Sequence, residues 1–278
     1  MKKVIVITGA SSGMGKDTAL KLINEGHIVY GLARRADKMQ DLVDAGGYAL
    51  GVDITNSEMI AEVVSKIIAE QHHIDVLWNN AGYSVTGAVE DVSEEDAKRQ
   101  FDVNLFGLAE MTKAVLPHMR EQRSGTIINT SSVGGKIYSP LGAWYHATKH
   151  ALEAWSDCLR LELKPFNINV VILQPGGIST EFGDVLVEPL LTRSKGGAYE
   201  EISSDIAYMY KKIYTSSKNM APTSVISQVI SKIIRTKKTK TRYAAGYMAK
   251  TTLFMKFIMS DKLFDKFIIS TFKKEKTR

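Results

Sequence analysis

Short runs of Val and Ile recur along the chain and alternate with longer stretches in which apolar residues return every three or four positions. The short runs are Val4 to Ile7, Ile28 to Leu32, Val76 to Trp78, Thr126 to Asn129 and Ile168 to Leu173. Continuous apolar runs of this length suit strands covered on both faces. Between them Leu20 and Ile23, then Ile60, Val63, Val64, Ile67 and Ile68, mark the buried stripe of amphipathic helices. Strand alternating with helix predicts an α/β fold, a doubly wound parallel sheet with right-handed crossovers. Tyr48 to Gly51 and Arg242 to Ala245 add short strands, for a sheet of about seven.

Two longer helices are expected over Glu94 to Glu121 and Ala143 to Lys164, each leading into the next strand. After Pro175 the rhythm changes. The stretch from Gly176 to Ala221 holds no clear strand and is rich in Gly, Ser and Tyr, so residues 183–221 read as a helical substrate lobe or lid. Ala221 to Thr236 resumes a helix with Val225, Ile226, Val229, Ile230, Ile233 and Ile234 on one stripe. Residues 249–272 read as a C-terminal helical extension, a pair of helices packed on the body or on another subunit in preference to a membrane-surface contact. Their apolar residues are interrupted by Lys256, Asp261, Lys262, Asp265 and Lys266, so no run is long and uncharged enough to span a bilayer. At 278 residues, the whole chain is expected to form one domain with these decorations.

The formal charge of +6 admits an anionic partner. Part of it, however, falls in Arg235, Lys237, Lys238, Lys240 and Arg242 and in Lys273 to Arg278, runs that usually form solvated faces or frayed tails. No aromatic-interleaved basic groove accompanies them, and nucleic-acid binding is not expected. Cys158 is the only cysteine, which excludes an internal disulfide and reads as a small buried helix residue. The strand beginning near Lys3 leaves no room for a leader, and a cytoplasmic location is expected.

Thr8-Gly9-Ala10-Ser11-Ser12-Gly13-Met14-Gly15 follows the first strand and opens a helix. Glycines there allow a tight turn and let main-chain N–H groups approach a pyrophosphate at a helix N-terminus, the context of a dinucleotide-binding turn. The second strand ends at Leu32-Ala33 and is followed by Arg34-Arg35. A small residue followed by arginine welcomes a ribose 2'-phosphate that an acidic residue would repel, so NADP(H) is favoured, with NAD(H) possible. Asp53, followed by Ile54, stands after the third strand where adenine would lie, and Asn79-Asn80-Ala81-Gly82 ends the fourth strand at the ligand-binding edge. Together these features predict a Rossmann-type fold.

Tyr145 and Lys149 are four apart on a predicted helix and share one face. A phenol ionises near pH 10, and an adjacent ammonium lowers that value toward the range of a general acid/base. Ser132 ends the fifth strand, where its hydroxyl could polarise a substrate oxygen. His146 and His150 are also four apart, but no Glu stands in the usual place and no third ligand is evident, so no metal is assigned.

Thr8-Gly-x-x-x-Gly-x-Gly15, Asn79-Asn-Ala-Gly82, Ser132, Tyr145-x-x-x-Lys149 and Pro175-Gly176, in this order, resemble the short-chain dehydrogenase/reductase family in its classical form. The resemblance extends from residue 1 to about residue 182. It implies that Tyr145 exchanges the proton, that Lys149 lowers its pKa and holds the nicotinamide ribose, and that Ser132 rather than Ser131 polarises the substrate. It also implies that Asn104 interrupts its helix and holds a water beside the lysine. Pro175, Gly176, Ile178 and Thr180 match the turn that holds the nicotinamide amide. A homodimer or homotetramer is the expected assembly. The segment after Gly183 has Leu186, Val187, Leu190, Leu191, Tyr199, Tyr208, Met209, Tyr210 and Tyr214, which either face a small, largely apolar carbonyl or alcohol or simply pack the lobe. The chain's end resembles the subgroup containing 17β-hydroxysteroid and retinol dehydrogenases. Two alternatives fit the residues less well. An inactive NADP(H)-binding regulatory protein has no chemical need for all four of Asn104, Ser132, Tyr145 and Lys149; an extended epimerase or dehydratase would space its glycines differently.

Overall fold

The seven strands line up in the order β3-β2-β1-β4-β5-β6-β7, and every neighbouring pair runs parallel. They are β1 (Val4–Thr8), β2 (Ile28–Ala33), β3 (Tyr48–Gly51), β4 (Val76–Asn79), β5 (Gly125–Thr130), β6 (Ile168–Pro175) and β7 (Arg242–Ala245). This is the Rossmann-type α/β fold read from the strand–helix alternation. The computed structural model describes residues 2–180, 184–215 and 220–272. Gly183 and residues 216–219 of the expected lobe, and the basic end from Lys273 to Arg278, lie outside the described residues.

Period-two alternation sorts the strand side chains into two apolar layers. Ile5, Ile7, Val76, Trp78, Val171 and Leu173 face one side, where α1 (Gly13–Asn24) and α9 (Ser224–Arg235) cover them with Leu22, Ile226 and Ile230. Val4, Val6, Leu77, Ile127 and Val170 face the other, under α3 (Ser57–Gln71), α5 (Leu108–Glu121) and α6 (Ala143–Leu163). The two stripes read from the sequence, Ile60 to Ile67 and Ile226 to Ile234, supply the buried faces of α3 and α9. Asn56 caps α3 by accepting from the Met59 N–H at 3.0 Å.

The expected helix from Glu94 to Glu121 is broken. α4 (Glu94–Phe101) and α5 are joined by a π-helical turn, Asp102–Gly107, that contains the buried Asn104. Extra residues in a helix at such a point redirect a side chain that the regular spacing would not. Between β2 and β3 lies a short helix, α2 (Gln40–Asp44), and between β6 and β7 lie α7 (Asp184–Ser194) and α8 (Glu200–Thr215) ahead of α9. After β7 come α10 (Ala249–Ile258) and α11 (Asp261–Phe272). Among the described residues, no helix is long and apolar enough to cross a membrane.

Two expectations need correcting. Cys158 is exposed, because the buried face of α6 runs through Leu152, Ser156, Leu159 and Leu163 and leaves position 158 opposite. Arg242 is not part of a solvated basic run. Its guanidinium pairs with the buried Glu153 of α6 at 2.9 Å and with Asp157 at 2.6 Å, and Gln174 donates to the same Glu153 at 2.9 Å. This network fastens the edge strand β7 to α6.

The ends of β1 and β4 are tied by Thr8, whose hydroxyl oxygen accepts from the N–H groups of Asn80 and Ala81, each at 3.0 Å. Thr8→Val keeps the shape but strands those donors, so we expect a loss of roughly 1–3 kcal/mol for each donor that finds no water. Urea titration against the wild type measures it.

Candidate active site

Gly9 and Gly15 make the first turn possible. Gly9 has φ +69°, and a Cβ on Gly15 would stand 2.2 Å from the Gly9 carbonyl oxygen. The Asn80 side-chain amide donates to the carbonyls of Thr8 and Gly9 at 3.1 and 3.2 Å, which holds the turn against the end of β4. The turn therefore sits where the strand order reverses between β1 and β4, the place at which open parallel sheets bind ligands.

A cleft of about 560 Å³ opens there. Its walls include Gly9, Ser11, Ser12, Gly13, Met14, Arg34, Arg35, Asp53, Ile54, Asn80, Ala81, Gly82 and Thr180 from the expected set. Gly15 lies beneath the turn, packed on Gly9 and Asn80. Arg34 and Arg35 are both exposed at the end of β2. Burial works against the charge of Asp53, yet hydrogen bonds from Thr55 and the nearby Arg34 and Arg99 hold its carboxyl below the usual range. Arg99, Asp96, Tyr83 and Val103 also line the cleft and were not anticipated. Arg99 comes from α4, far from β2 in sequence, and a charged residue on an exposed helix turn carries no signal of that proximity.

Ser132, Tyr145 and Lys149 gather beside this cleft at the end of β5. Ser132 opens a short 3₁₀ turn, and its Oγ accepts from the Gly134 N–H at 3.0 Å. The same hydroxyl shares a hydrogen bond with the phenol of Tyr145. Ser131, by contrast, is buried under Gly135, whose Cβ would stand 2.5 Å from its Oγ. The Lys149 ammonium, only 5% exposed, donates to the Thr130 carbonyl at 2.9 Å and lies 5.9 Å from the centre of the Tyr145 ring. Desolvation pulls Lys149 down to about 8. Tyr145 departs from expectation here, since burial raises its pKa and the Ser132 hydrogen bond offsets only part of that rise. The lysine's own proton is directed at a backbone carbonyl.

Asn104 packs against the same group. Its side chain exchanges hydrogen bonds with the Tyr83 backbone at 2.9 and 3.0 Å and donates to Thr148 at 3.2 Å. A Cβ on Gly82 would lie 3.1 Å from Asn104 Oδ1 and 3.6 Å from Lys149 Nζ, so a larger residue there would crowd both side chains. The segment after β6 returns toward the first turn: Gly176 presses on the Tyr247 carbonyl, Ile178 bridges to Ala221, and Thr180 touches Gly13. Pro175 ends β6, and its carbonyl oxygen is 3.5 Å from Ser132 Oγ.

The model of the short chain dehydrogenase family matches residues 3–190. The chain belongs to the short-chain dehydrogenase family. It is 40% identical, over 88% of both chains, to a 3-ketodihydrosphingosine reductase of Bacteroides thetaiotaomicron. A short-chain dehydrogenase structure from Streptomyces avermitilis is 32% identical with a TM-score of 0.79, covering 95% of this chain and 94% of that one. The closed form of a serine dehydrogenase complexed with NADP+ is 28% identical with a TM-score of 0.70, covering 84% and 89%. This short-chain dehydrogenase is thus an oxidoreductase of the class that acts on CH–OH groups with a nicotinamide dinucleotide.

Two histidines beside the dehydrogenase's tyrosine are spent locally. A carbonyl can only accept, so His146 Nδ1–H donates to Gly134 at 2.9 Å, which leaves Nε2 to accept from Ser139 at 3.0 Å. Burial lowers the pKa of His146 and keeps this ring neutral. His150 Nδ1–H donates to the His146 carbonyl at 2.8 Å. Among the described residues no three His, Cys, Asp or Glu side chains form a metal-holding group.

The depressed Lys149 has a consequence for stability. Above about pH 8 the folded state has released this proton while the unfolded chain keeps it to about 10.4. The unfolded state then binds more protons, so stability rises with pH across that window. The unfolding free energy of the wild type should rise relative to that of Lys149→Met by about 1.4 kcal/mol per pH unit there, measured by denaturant titration.

Proposed function

We propose that this chain uses NADP(H) to interconvert an alcohol, secondary or primary, with its ketone or aldehyde on a largely apolar compound, with Tyr145 as the general acid/base. The observation that carries the proposal is the convergence of Tyr145, Ser132 and Lys149 beside the glycine-lined cleft.

The cleft suits a dinucleotide. Ser11, Ser12, Gly13 and Met14 surround the start of α1, whose N–H groups and dipole favour a pyrophosphate. Asp53 and Ile54 would flank the adenine, with Asn80, Ala81 and Gly82 along the crevice. Pro175, Gly176, Ile178 and Thr180 would hold the nicotinamide amide, while Tyr145 and Lys149 would hold its ribose. Arg34 and Arg35 present two cations at the end of β2, with Arg99 opposite, and this favours a 2'-phosphate. When bound, the nicotinamide supplies or accepts the hydride.

The residues of the chain manage the proton. In reduction, the Tyr145 hydroxyl donates to the substrate oxygen, and Ser132 Oγ donates a hydrogen bond to the same atom. Lys149, still largely protonated at neutral pH, stabilises the phenolate left behind. Asn104 keeps the Tyr83 loop and Thr148 in register beneath them. In oxidation each transfer reverses. On the substrate side Val187, Leu190, Ile206 and Leu141 form an apolar cluster with Tyr210. Burial, with Tyr145 nearby, pushes the Tyr210 phenol up to about 12, so it stays a neutral hydroxyl on an otherwise apolar wall. The ketone named in the Bacteroides relative, a 3-ketodihydrosphingosine reductase, is consistent with such a wall.

Two measurements test the proposal. An NADPH-oxidation screen over ketones, aldehydes and long-chain 3-keto compounds should show turnover that falls roughly 100- to 10,000-fold in Tyr145→Phe. Cofactor binding by fluorescence should persist in that variant, and equal turnover in the two proteins refutes the role. Arg34→Ala should raise KM for NADPH relative to NADH by roughly tenfold or more, the value of one hydrogen bond to a charged group. An unchanged ratio removes the 2'-phosphate reading.

A further inference from the structure

The last two helices turn two unlike faces to their surroundings. Inward, Phe264 and Ile268 are buried, and the Phe264 ring meets Tyr138 edge-on at 5.4 Å. The Tyr138 hydroxyl donates to Asp265 at 2.9 Å, and Lys256 lies 4.9 Å over the Tyr138 ring. At the far end Phe272 packs edge-on against Tyr210 at 6.4 Å. These contacts fix α10 and α11 to the loop after Ser132 and to the substrate-side helix α8.

Outward, the same helices leave large apolar side chains uncovered. Phe257 is 86% exposed and Phe254 61%, with Ile258, Leu263 and Ile269 about half exposed. Phe254, Phe257 and Ile258 share one side of α10 by their spacing. Exposed Lys250, Lys262 and Lys266 stand among them. Among the described residues from 249 on, Lys250, Lys256, Lys262 and Lys266 stand against the exposed Asp261 and Asp265, so the pair of helices is net positive. Contiguous exposed apolar groups set among cations need a partner that is apolar beneath and anionic at its surface.

We propose that α10 and α11 form a docking surface for an anionic lipid bilayer, seated in the interface with their phenylalanines among the acyl chains and their lysines at the phosphates. The length and charge of the two helices fit a surface position and not a span. A second copy of the chain fits less well, because a two-fold interface would set two net-positive patches against each other. Because the helices rest on the loop after Ser132 and on Tyr210, docking would hold the substrate side of the cleft near the bilayer.

The test is co-sedimentation of the full chain with phosphatidylglycerol–phosphatidylcholine vesicles and with phosphatidylcholine alone, at low and high salt. We expect binding to the anionic vesicles only, released by salt, and weakened by about fivefold for each charge removed in Lys262→Gln and Lys266→Gln. Phe257→Ser, a change at a solvent-facing site, should weaken binding at least as much with an unchanged Tm. Failure of the folded wild type to bind anionic vesicles at low salt overturns the proposal. So does a Phe257→Ser variant, still folded, that binds like wild type. A solution dimer that Phe257→Ser dissociates would assign the patch to a second copy instead.

Discussion

Thr8 and Asn80 meet at the point where the winding of the sheet reverses, and the rest of the site is arranged around that junction. One threonine oxygen accepts from two consecutive amides, and the Asn80 side chain returns two bonds to the carbonyls of Thr8 and Gly9. Strands β1 and β4 are therefore held together while the chain leaves them on opposite sides of the sheet. The crevice that results needs a first turn without side chains, because the backbone of Gly9 already lies against Ala81 and Gly15 lies against Gly9. Larger residues would close the cleft or force the strands apart.

A second layer of order depends on the first. Once β4 and β5 are in register, the carbonyl of Thr130 emerges beside α6, and Lys149 can be desolvated because that carbonyl accepts its hydrogen bond. Burial of an unpaired ammonium would otherwise be costly. The result is a lysine poised near pH 8, next to a phenol that burial has moved in the opposite direction. Two groups whose environments shift them from their ordinary values, close together beside a cleft, mark a candidate functional site. The π-helical turn at Asn104 belongs to the same layer, since it aims that side chain at the Tyr83 backbone and at Thr148.

Beyond the sheet, side-chain contacts decide what the helices do. The Glu153–Arg242 pair lies within hydrogen-bonding reach of Gln174 and Lys136, so the charge buried on α6 is compensated from three directions. It fixes β7, and β7 in turn sets where α10 begins. The C-terminal helices then bridge the loop after Ser132 and α8, which links the outermost part of the chain to the substrate side of the site.

The local pattern of the sequence was enough for everything that depends on near neighbours. Val/Ile runs and helical stripes placed the strands and helices, glycines after a strand marked the first turn, and the four-residue spacing put Tyr145 and Lys149 on one face. These are properties of chain geometry, with periods of two and 3.6, and they survive without knowledge of the fold. Other features were settled only when distant segments met. Arg99 reached the cleft from α4, Arg242 found Glu153 eighty-nine positions away, Cys158 turned to solvent, and Tyr145 was buried more effectively than its neighbours could charge it. Desolvation and long-range pairing depend on the three-dimensional surroundings of a group, and no spacing along the chain encodes them. The sequence by itself determined which chemistry is available; the tertiary structure decided which groups carry a charge and what they face.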